Sequence, residues 1–568
     1  MTREKARSAK ALVVLAIAAA AAGCAPARPD TVRAAPPAAV AVDADGTRRL
    51  GESYLRKRQG IIEARFAGNP YGRGYARGKL SRSQIVRGEQ AIQELLERFV
   101  PSSVKRFFLG KVMALNLRGS IPAIPAEHNE EIVGLSDALE PDPIAGEWNV
   151  FARHLALHAL HDFSQRYADQ TPLAAACTGF AASGGATADG HTLLARNFDF
   201  EAGDLFDAEK IVSYVVPERG IPYLSVTFGG LTGVVSGFNR EGIGIAIYAW
   251  SGGRTTGTGE PATLVAADVL ERASTLAEAI RIVERASVFV SNIYMLADGK
   301  TGEMAAVEKT PRESAVRRGR DLLFAANHPE SAAFSGSKHL NASSTSLSRR
   351  RRVEELVTPL SGRLDVPRAA RVLRDRQGRG GKDIGPGNRN AVNALIASHS
   401  IVFDLTARRA WVAAAPHGLG PFVAYSLDLG IAAGPADPRF AKLASSTLPA
   451  DPWLVSGGYA AYLSARERTV RGRKALSEGW TSEALEHARE ALRLAPGFAE
   501  ALALTAEALA AQGRVEQASA AVAAALDRDP APPAFARSLE AFLTVLASGE
   551  RPAVKISYPT SPDDLPEQ

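Results

Sequence analysis

CTGFAASGGATADGHTLLARNFDF, residues 177–200, is the stretch on which the fold turns. It reads as a strand opening on Cys177, a turn rich in glycine, and a second strand ending in Arg196-Asn197-Phe198-Asp199. Before it the apolar spacing is helical, with GEQAIQELLERFV, VKRFFLGKVMAL, NEEIVGLSDAL and FARHLALHALHDF repeating at three and four residues. After it the period falls to two in IVSYVV, IPYLSVTF, GVVSGFN and GIGIAIYAW, with Gly, Pro and Asn-Arg-Glu-Gly turns between them, as antiparallel hairpins require. Sheet is therefore expected to begin at the cysteine.

Further along, ATLVAADVLERASTLAEAIRIVERA returns to helical spacing, and SNIYMLADGKTGEMAAVEKT reads as strand, Asp-Gly turn and strand. SLSRRRRVEELVTPL reads as a helix and SIVFDLTARRAWVAA as another hairpin. Helices before and after antiparallel strands predict a layered α+β domain, with a helical segment at 46–176 and a sheet-bearing segment at 177–436. A linker is expected at 437–468. From 469 to 548 the chain aligns on itself, pairing Gly479 with Gly513, Ala484 with Ala518, Leu492 with Leu526 and Pro496 with Pro530. That offset is the period of tetratricopeptide-like helical hairpins, with FARSLEAFLTVL as a capping helix. Two such repeats bury little by themselves, so they are expected to lean on the rest of the chain or on a protein partner. Residues 549–568 are expected to form a disordered tail.

The chain has 2 cysteines, Cys24 and Cys177, which argues against a disulfide framework. Arg3, Lys5, Arg7 and Lys10 precede ALVVLAIAAAAAG, an apolar run of signal-peptide length and too short to span a bilayer. Ala21-Ala22-Gly23-Cys24 resembles a bacterial lipobox with Ala21 in place of the usual leucine. Residues 1–24 are therefore read as a lipoprotein signal with a lipid on Cys24, and the Ala- and Pro-rich residues 25–45 as a disordered tether. The expected location is the cell envelope, at the outer membrane facing the periplasm. An ordinary secretory signal with an incidental cysteine is the alternative.

The net charge of +6 is small for the length, and the arginine clusters lack interleaved aromatics, so no nucleic-acid partner is expected. His154, His158 and His161 share a helical face without a clear further ligand, and no metal is assigned to them. GRGGKDIGPG lacks the Ser or Thr and the leading strand of a phosphate loop, and no G-x-S-x-G elbow is present. No cofactor is expected.

A cysteine at the head of a strand and preceded by small residues suits an N-terminal nucleophile. Once the bond between Ala176 and Cys177 is cut, the new α-amine titrates near about 8 and can take the thiol proton without a separate histidine. The same thiol can make the cut by attacking the Ala176 carbonyl.

On CTGF, on DG-x4-ARNFDF, and on GNPYGRGYARGKL, GFNREGIGIAI, SNIYMLADGKTGEMAAVEKT, NHPE and SIVFDLTARRAWVAA in this order, the chain resembles the penicillin acyltransferase-like branch of the cysteine N-terminal-nucleophile (Ntn) hydrolases. That family is related to choloylglycine hydrolase and acid ceramidase. The resemblance implies a four-layer αββα sandwich, with Cys177 as nucleophile and Arg196 and Asp199 around it. It also implies that Asn292 donates to the oxyanion, while a second donor near Ser251 is suggested by position alone. Asn327, His328, Ser346 and Arg349 match family positions that support the substrate or the new N-terminus.

The implied substrate is a small acylated amide. The acyl group would pass through a Cys177 thioester to water or an amine, and an acyltransferase or a phospholipase-type ester hydrolase would use the same residues. A non-enzymatic envelope scaffold built on the repeats is the remaining alternative.

Overall fold

The structure is a computed structural model that describes residues 26–30, 39–144, 148–166, 175–201, 203–250, 255–336, 345–549 and 555–559. Its strands in chain order are β1 (Ala41–Val42), β2 (Arg48–Leu50), β3 (Ser53–Arg58), β4 (Ile61–Gly68), β5 (Ala175–Gly184), β6 (Gly190–Phe200), β7 (Ile211–Pro217), β8 (Tyr223–Thr227) and β9 (Ser236–Asn239). There follow β10 (Ile243–Ala249), β11 (Asn292–Asp298), β12 (Met304–Lys309), β13 (Ser314–Gly319), β14 (Leu322–Ala325), β15 (Ala397–Asp404), β16 (Arg409–Ala413) and β17 (Phe422–Ser426). Among the described residues they form an 11-stranded sheet, β1-β2-β3-β4-β7-β8-β9-β10-β11-β12-β13, and a 6-stranded sheet, β14-β5-β6-β15-β16-β17.

Alternation along the smaller sheet explains why two layers flank it. Leu194, Phe198, Ile401, Phe403, Ala410 and Val412 belong to the core shared with the larger sheet. Their neighbours Leu193, Ala195, Val402, Trp411 and Ala413 pack on the other face, against Val353, Val357, Ala369 and Leu373 of the helices Thr345–Val357 and Val366–Leu373. The helices Ala262–Arg272 and Leu276–Arg285 cover the larger sheet, the second started by a capping box between Thr275 and Glu278. The result is a four-layer αββα sandwich carrying a C-terminal helical-repeat unit.

Sheet does not begin at the cysteine. Four strands precede it, and β4 runs parallel to β7, so residues 46–176 contribute sheet as well as helices. The charged run Leu55-Arg56-Lys57-Arg58 hid the β3–β4 hairpin. Arg56 and Arg58 do not face water: they clamp the fully buried Glu63 at 2.6 and 2.7 Å, and their guanidinium groups lie 4.4 Å from the Phe440 and Tyr425 rings. Gln59 and Gly60, both at positive φ, make the two-residue turn.

The helix Pro70–Leu80 crosses Ala126–Ala138 at very short range, because Gly74 lacks a side chain: a Cβ there would lie 1.8 Å from the Glu131 carbonyl oxygen. Arg73 then joins Glu131 and Glu271, each at 2.9 Å, in a buried triad.

Three further boundaries differ from expectation. The tether is partly ordered: Pro26 is buried and accepts a hydrogen bond from Asn149, Arg28 forms a forked pair with Asp137, and Ala41–Val42 is a strand. The helical unit starts at Gly458 rather than 469, since Gly458–Ser477 is the first arm of the first hairpin, and Arg439–Ala444 within the expected linker packs on the sandwich through Phe440 and Leu443. Part of the expected tail folds back, with Ile556 buried and Tyr558 donating to Glu507 and stacked on Phe535.

The repeats do lean on the sandwich. Tyr459, Tyr462, Ala495 and Phe498 close over Leu395 and Leu419. The run set aside as a phosphate loop is their seat. Gly387, at positive φ, lies under the Tyr462 hydroxyl, and Asn388 donates to the carbonyls of Arg528 and Asp529.

Candidate active site

β5 lies between the edge strand β14 and β6 in the smaller sheet, and its antiparallel ladder with β6 sets Cys177 opposite Phe198 and Ala176 opposite Asp199. Cys177 is fully buried. Its Sγ lies 2.7 Å from Arg196 Nη2. Arg196 is held by Nη1, which donates to the Val235 carbonyl at 2.9 Å and to Ser236 Oγ at 3.0 Å, and it lies 4.9 Å from the Phe198 and Tyr248 rings. Ser236 in turn meets His399 Nε2 at 3.0 Å. Gly179 is required by this crowding, since a Cβ there would lie 2.3 Å from the Tyr248 hydroxyl and 2.5 Å from the Ala195 carbonyl oxygen.

The backbone of Cys177 is gripped as firmly as its side chain. Its N–H donates to Asn327 Oδ1 at 2.7 Å, and its carbonyl accepts from Arg349 Nη1 at 2.6 Å. Arg349 Nη2 reaches the same Asn327 oxygen at 3.0 Å, while Asn327 Nδ2 donates to the Ala249 carbonyl at 2.9 Å. Ser346, one turn before Arg349 on its helix, accepts from the Asn327 N–H at 2.8 Å and meets His328 Nδ1 at 2.6 Å. Residues matched by sequence to a supporting role thus form one bracket around the Cys177 peptide unit. Asn327 is its centre.

Asn197 faces away from the sulfur, donating to the Leu373 and Val392 carbonyls. By strand alternation Asp199 shares that face, so Arg196 and Asp199 approach the peptide of Cys177 from opposite sides of the sheet. Neither oxygen of the buried Asp199 has a hydrogen-bond partner among the described residues. Burial pushes its carboxyl up to about 6, against the pull of Arg349 and then Arg196. Burial also raises the Cys177 thiol above its ordinary value, and Arg196 opposes this without overcoming it. In the uncut chain desolvation wins.

Asn292 heads β11 opposite Ala249 at the end of β10. Its Nδ2 donates to Asp162 Oδ1 at 3.2 Å, and its Oδ1 accepts from Gln165 Nε2 at 2.9 Å. Gln165 Oε1 accepts from the Trp250 N–H at 2.9 Å, so one side chain engages both groups expected near an oxyanion. Asp162 is buried, which pushes its carboxyl up to about 7 while the Ala262 N–H and Asn292 pull it down. Asp162 and Gln165 were not singled out from sequence; the available signal was a carboxylate and an amide three residues apart in the short helix Leu160–Arg166.

Ser251, residues 167–174 and Cys24 lie outside the described residues. His154, His158 and His161 do not converge. His158 binds the His154 carbonyl and Thr232, His154 binds the Val150 carbonyl, and His161 stacks on Phe198.

Two stacked sheets between helical layers, with a buried cysteine near the start of the strand beside the edge of the smaller sheet, make a four-layer αββα sandwich. Residues 186–417 match the family model of acyl-coenzyme A:6-aminopenicillanic acid acyl-transferase, and residues 475–541 match a tetratricopeptide repeat model. The resemblance drawn from ARNFDF and the later strands is therefore to a family of amide acyl cleavage or transfer, matched over the segment just after Cys177. An uncharacterized protein of Archaeoglobus fulgidus is 28% identical over 269 residues, and the chain spans 44% of that relative's length.

Among solved structures, the Caenorhabditis elegans ortholog of N-acylethanolamine-hydrolyzing acid amidase aligns at 19% identity and a TM-score of 0.31, over 40% of this chain and 93% of that one. A mutant of the conjugated bile acid hydrolase from Clostridium perfringens aligns at 15% identity and a TM-score of 0.29, over 42% and 89%.

Proposed function

We propose that the protein is a self-processing enzyme that cuts its own chain between Ala176 and Cys177 and then cleaves acylated amides through a Cys177 thioester. The observation that carries this reading is Asp199: a buried carboxylate without a partner, set against Ala176 at the bond that would be cut. A desolvated carboxylate needs a cation or a proton. The cut creates a cation beside it, the α-ammonium of Cys177.

In the first stage the thiol attacks the Ala176 carbonyl carbon, the C–N bond breaks, and the acyl group moves to sulfur while the nitrogen becomes an amine. Water then hydrolyses that thioester, leaving a carboxylate on Ala176 and a free thiol on Cys177. In each later turnover the α-amine accepts the thiol proton, sulfur attacks the substrate carbonyl, and the ammonium returns the proton to the departing amine. Water releases the acid. Arg196 steadies the thiolate, Asp199 orients the ammonium, and Asn327 with Arg349 fixes the peptide of Cys177. Asn292 stabilises the oxyanion once its Nδ2 is released from Asp162.

An acceptor amine in place of water would make the same site a transferase. Product analysis with candidate amines separates the two, since only a transferase yields a new amide. In this reading residues 1–24 export the chain and Cys24 carries the lipid.

The direct test is the mass of the purified protein. A fragment beginning at Cys177 is expected in the wild type and a single intact chain in Cys177→Ala; an uncut wild-type chain sinks the proposal.

A further inference from the structure

His128, Glu260 and Asp268 form a cluster that the mechanism above does not use. Each is buried, and each offers one ligand atom, all within 4.8 Å of one another. His128 comes from the helix Ala126–Ala138, Asp268 from Ala262–Arg272, and Glu260 stands just before Pro261, where its N–H donates to the Ser287 carbonyl. His128 Nε2 lies 2.9 Å from Asp268 Oδ1.

A second observation points to a ligand. Glu260 is 5% exposed, and its Oε1 has no hydrogen-bond partner among the described residues. Charge is also unbalanced, with two carboxylates facing one imidazole. The remaining cation in reach, Arg272, is half exposed, lies 3.4 Å from Asp268 and is shared with Glu127.

We infer that His128, Glu260 and Asp268 bind one divalent transition-metal ion of the zinc type. One imidazole nitrogen and two carboxylate oxygens are a donor set such ions accept. Tetrahedral bonds of about 2.0–2.2 Å set ligand atoms roughly 3.4 Å apart, so His128 and Asp268 open from 2.9 Å while every pair already lies within 4.8 Å, a modest side-chain adjustment. The site is structural: His128 lies before the Ala176–Cys177 bond, and Glu260 and Asp268 after it. The ion therefore ties the two pieces together if the chain is cut. That tie rests on the proposed cut, whereas binding of the ion does not.

The test uses full-length, tag-free protein in wild-type and Cys177→Ala forms, the second removing the thiol as a competing ligand. Each is stripped with a chelator and titrated with Zn²⁺ by calorimetry and with Co²⁺ by visible absorbance. One ion per chain is expected in both forms, with four-coordinate cobalt bands and a melting midpoint raised by several degrees on loading. Glu260→Gln and His128→Ala should bind at least about tenfold more weakly, with Glu260→Gln melting close to the stripped wild type. Binding that is substoichiometric, or equal in Glu260→Gln, overturns the site. So does a Glu260→Gln chain that is more stable than wild type at neutral pH and insensitive to Zn²⁺, which would identify the cluster as a proton store. An uncut wild-type chain that still binds the ion would sink the cleavage proposal alone.

Discussion

Asp199 faces Ala176 across the β5–β6 ladder, and neither of its carboxylate oxygens accepts a hydrogen bond among the described residues. A carboxyl raised from 3.8 when exposed to about 6 when folded holds its proton more tightly in the folded chain. The uncut protein therefore loses stability as pH rises from about 4 through 6, by on the order of 3 kcal/mol in full. Asp199→Asn in a Cys177→Ala background should flatten that slope and gain on the order of 1–3 kcal/mol at pH 8, read by urea denaturation. A parent and variant of equal stability at both pH values would mean that Asp199 already has a counter-charge.

Arg196 bears on the sulfur from the other face. Because its guanidinium partly opposes the effect of burial on the thiol, Arg196→Gln should raise the thiol pKa further. The rate of iodoacetamide alkylation should then rise at a pH about one unit or more higher than in the wild type. An unchanged profile in a folded variant would show that the short Sγ–Nη2 contact has no electrostatic consequence.

Asn292→Ala removes an amide that Gln165 and Asp162 hold in the uncut chain. If Asn292 donates to the oxyanion, turnover of an acylated amide by the matured enzyme should fall by about 10²–10³-fold while the alkylation profile of Cys177 stays in place. A loss in both measurements would assign Asn292 to the fold.

Tyr462 joins the repeats to the sandwich over Leu395 and against Gly387. Tyr462→Ala leaves a cavity at that seam and should cost about 3–5 kcal/mol locally. A single cooperative melt should then separate into two, the repeats unfolding first, as followed by calorimetry. One unsplit transition at the wild-type midpoint would show that the seam carries little of the repeat unit's stability.

At β15 and β16 the apolar pattern in the sequence was sufficient to read the hairpin. It failed at β3 and β4 because buried arginines paired with Glu63 look like solvated charge, and pairing across several residues leaves no periodic trace. Cys177, Arg196, Asp199, Asn327 and Arg349, singled out by the resemblance, are brought together from β5, the end of β6, the turn after β14 and the helix Thr345–Val357. Asp162 and Gln165 escaped notice because their role exists only once Asn292, 127 residues from Gln165, has been folded against them.

The parallel pairing of β4 with β7 has a consequence for reversibility. A cut at Cys177 would not release a detachable leader, because the first piece supplies four strands of the 11-stranded sheet and the helices crossing at Gly74. Before the cut, refolding is a first-order event of one chain. Afterwards it becomes an encounter of two, whose rate depends on protein concentration, so the matured molecule would owe its lifetime to slow dissociation and not to recovery.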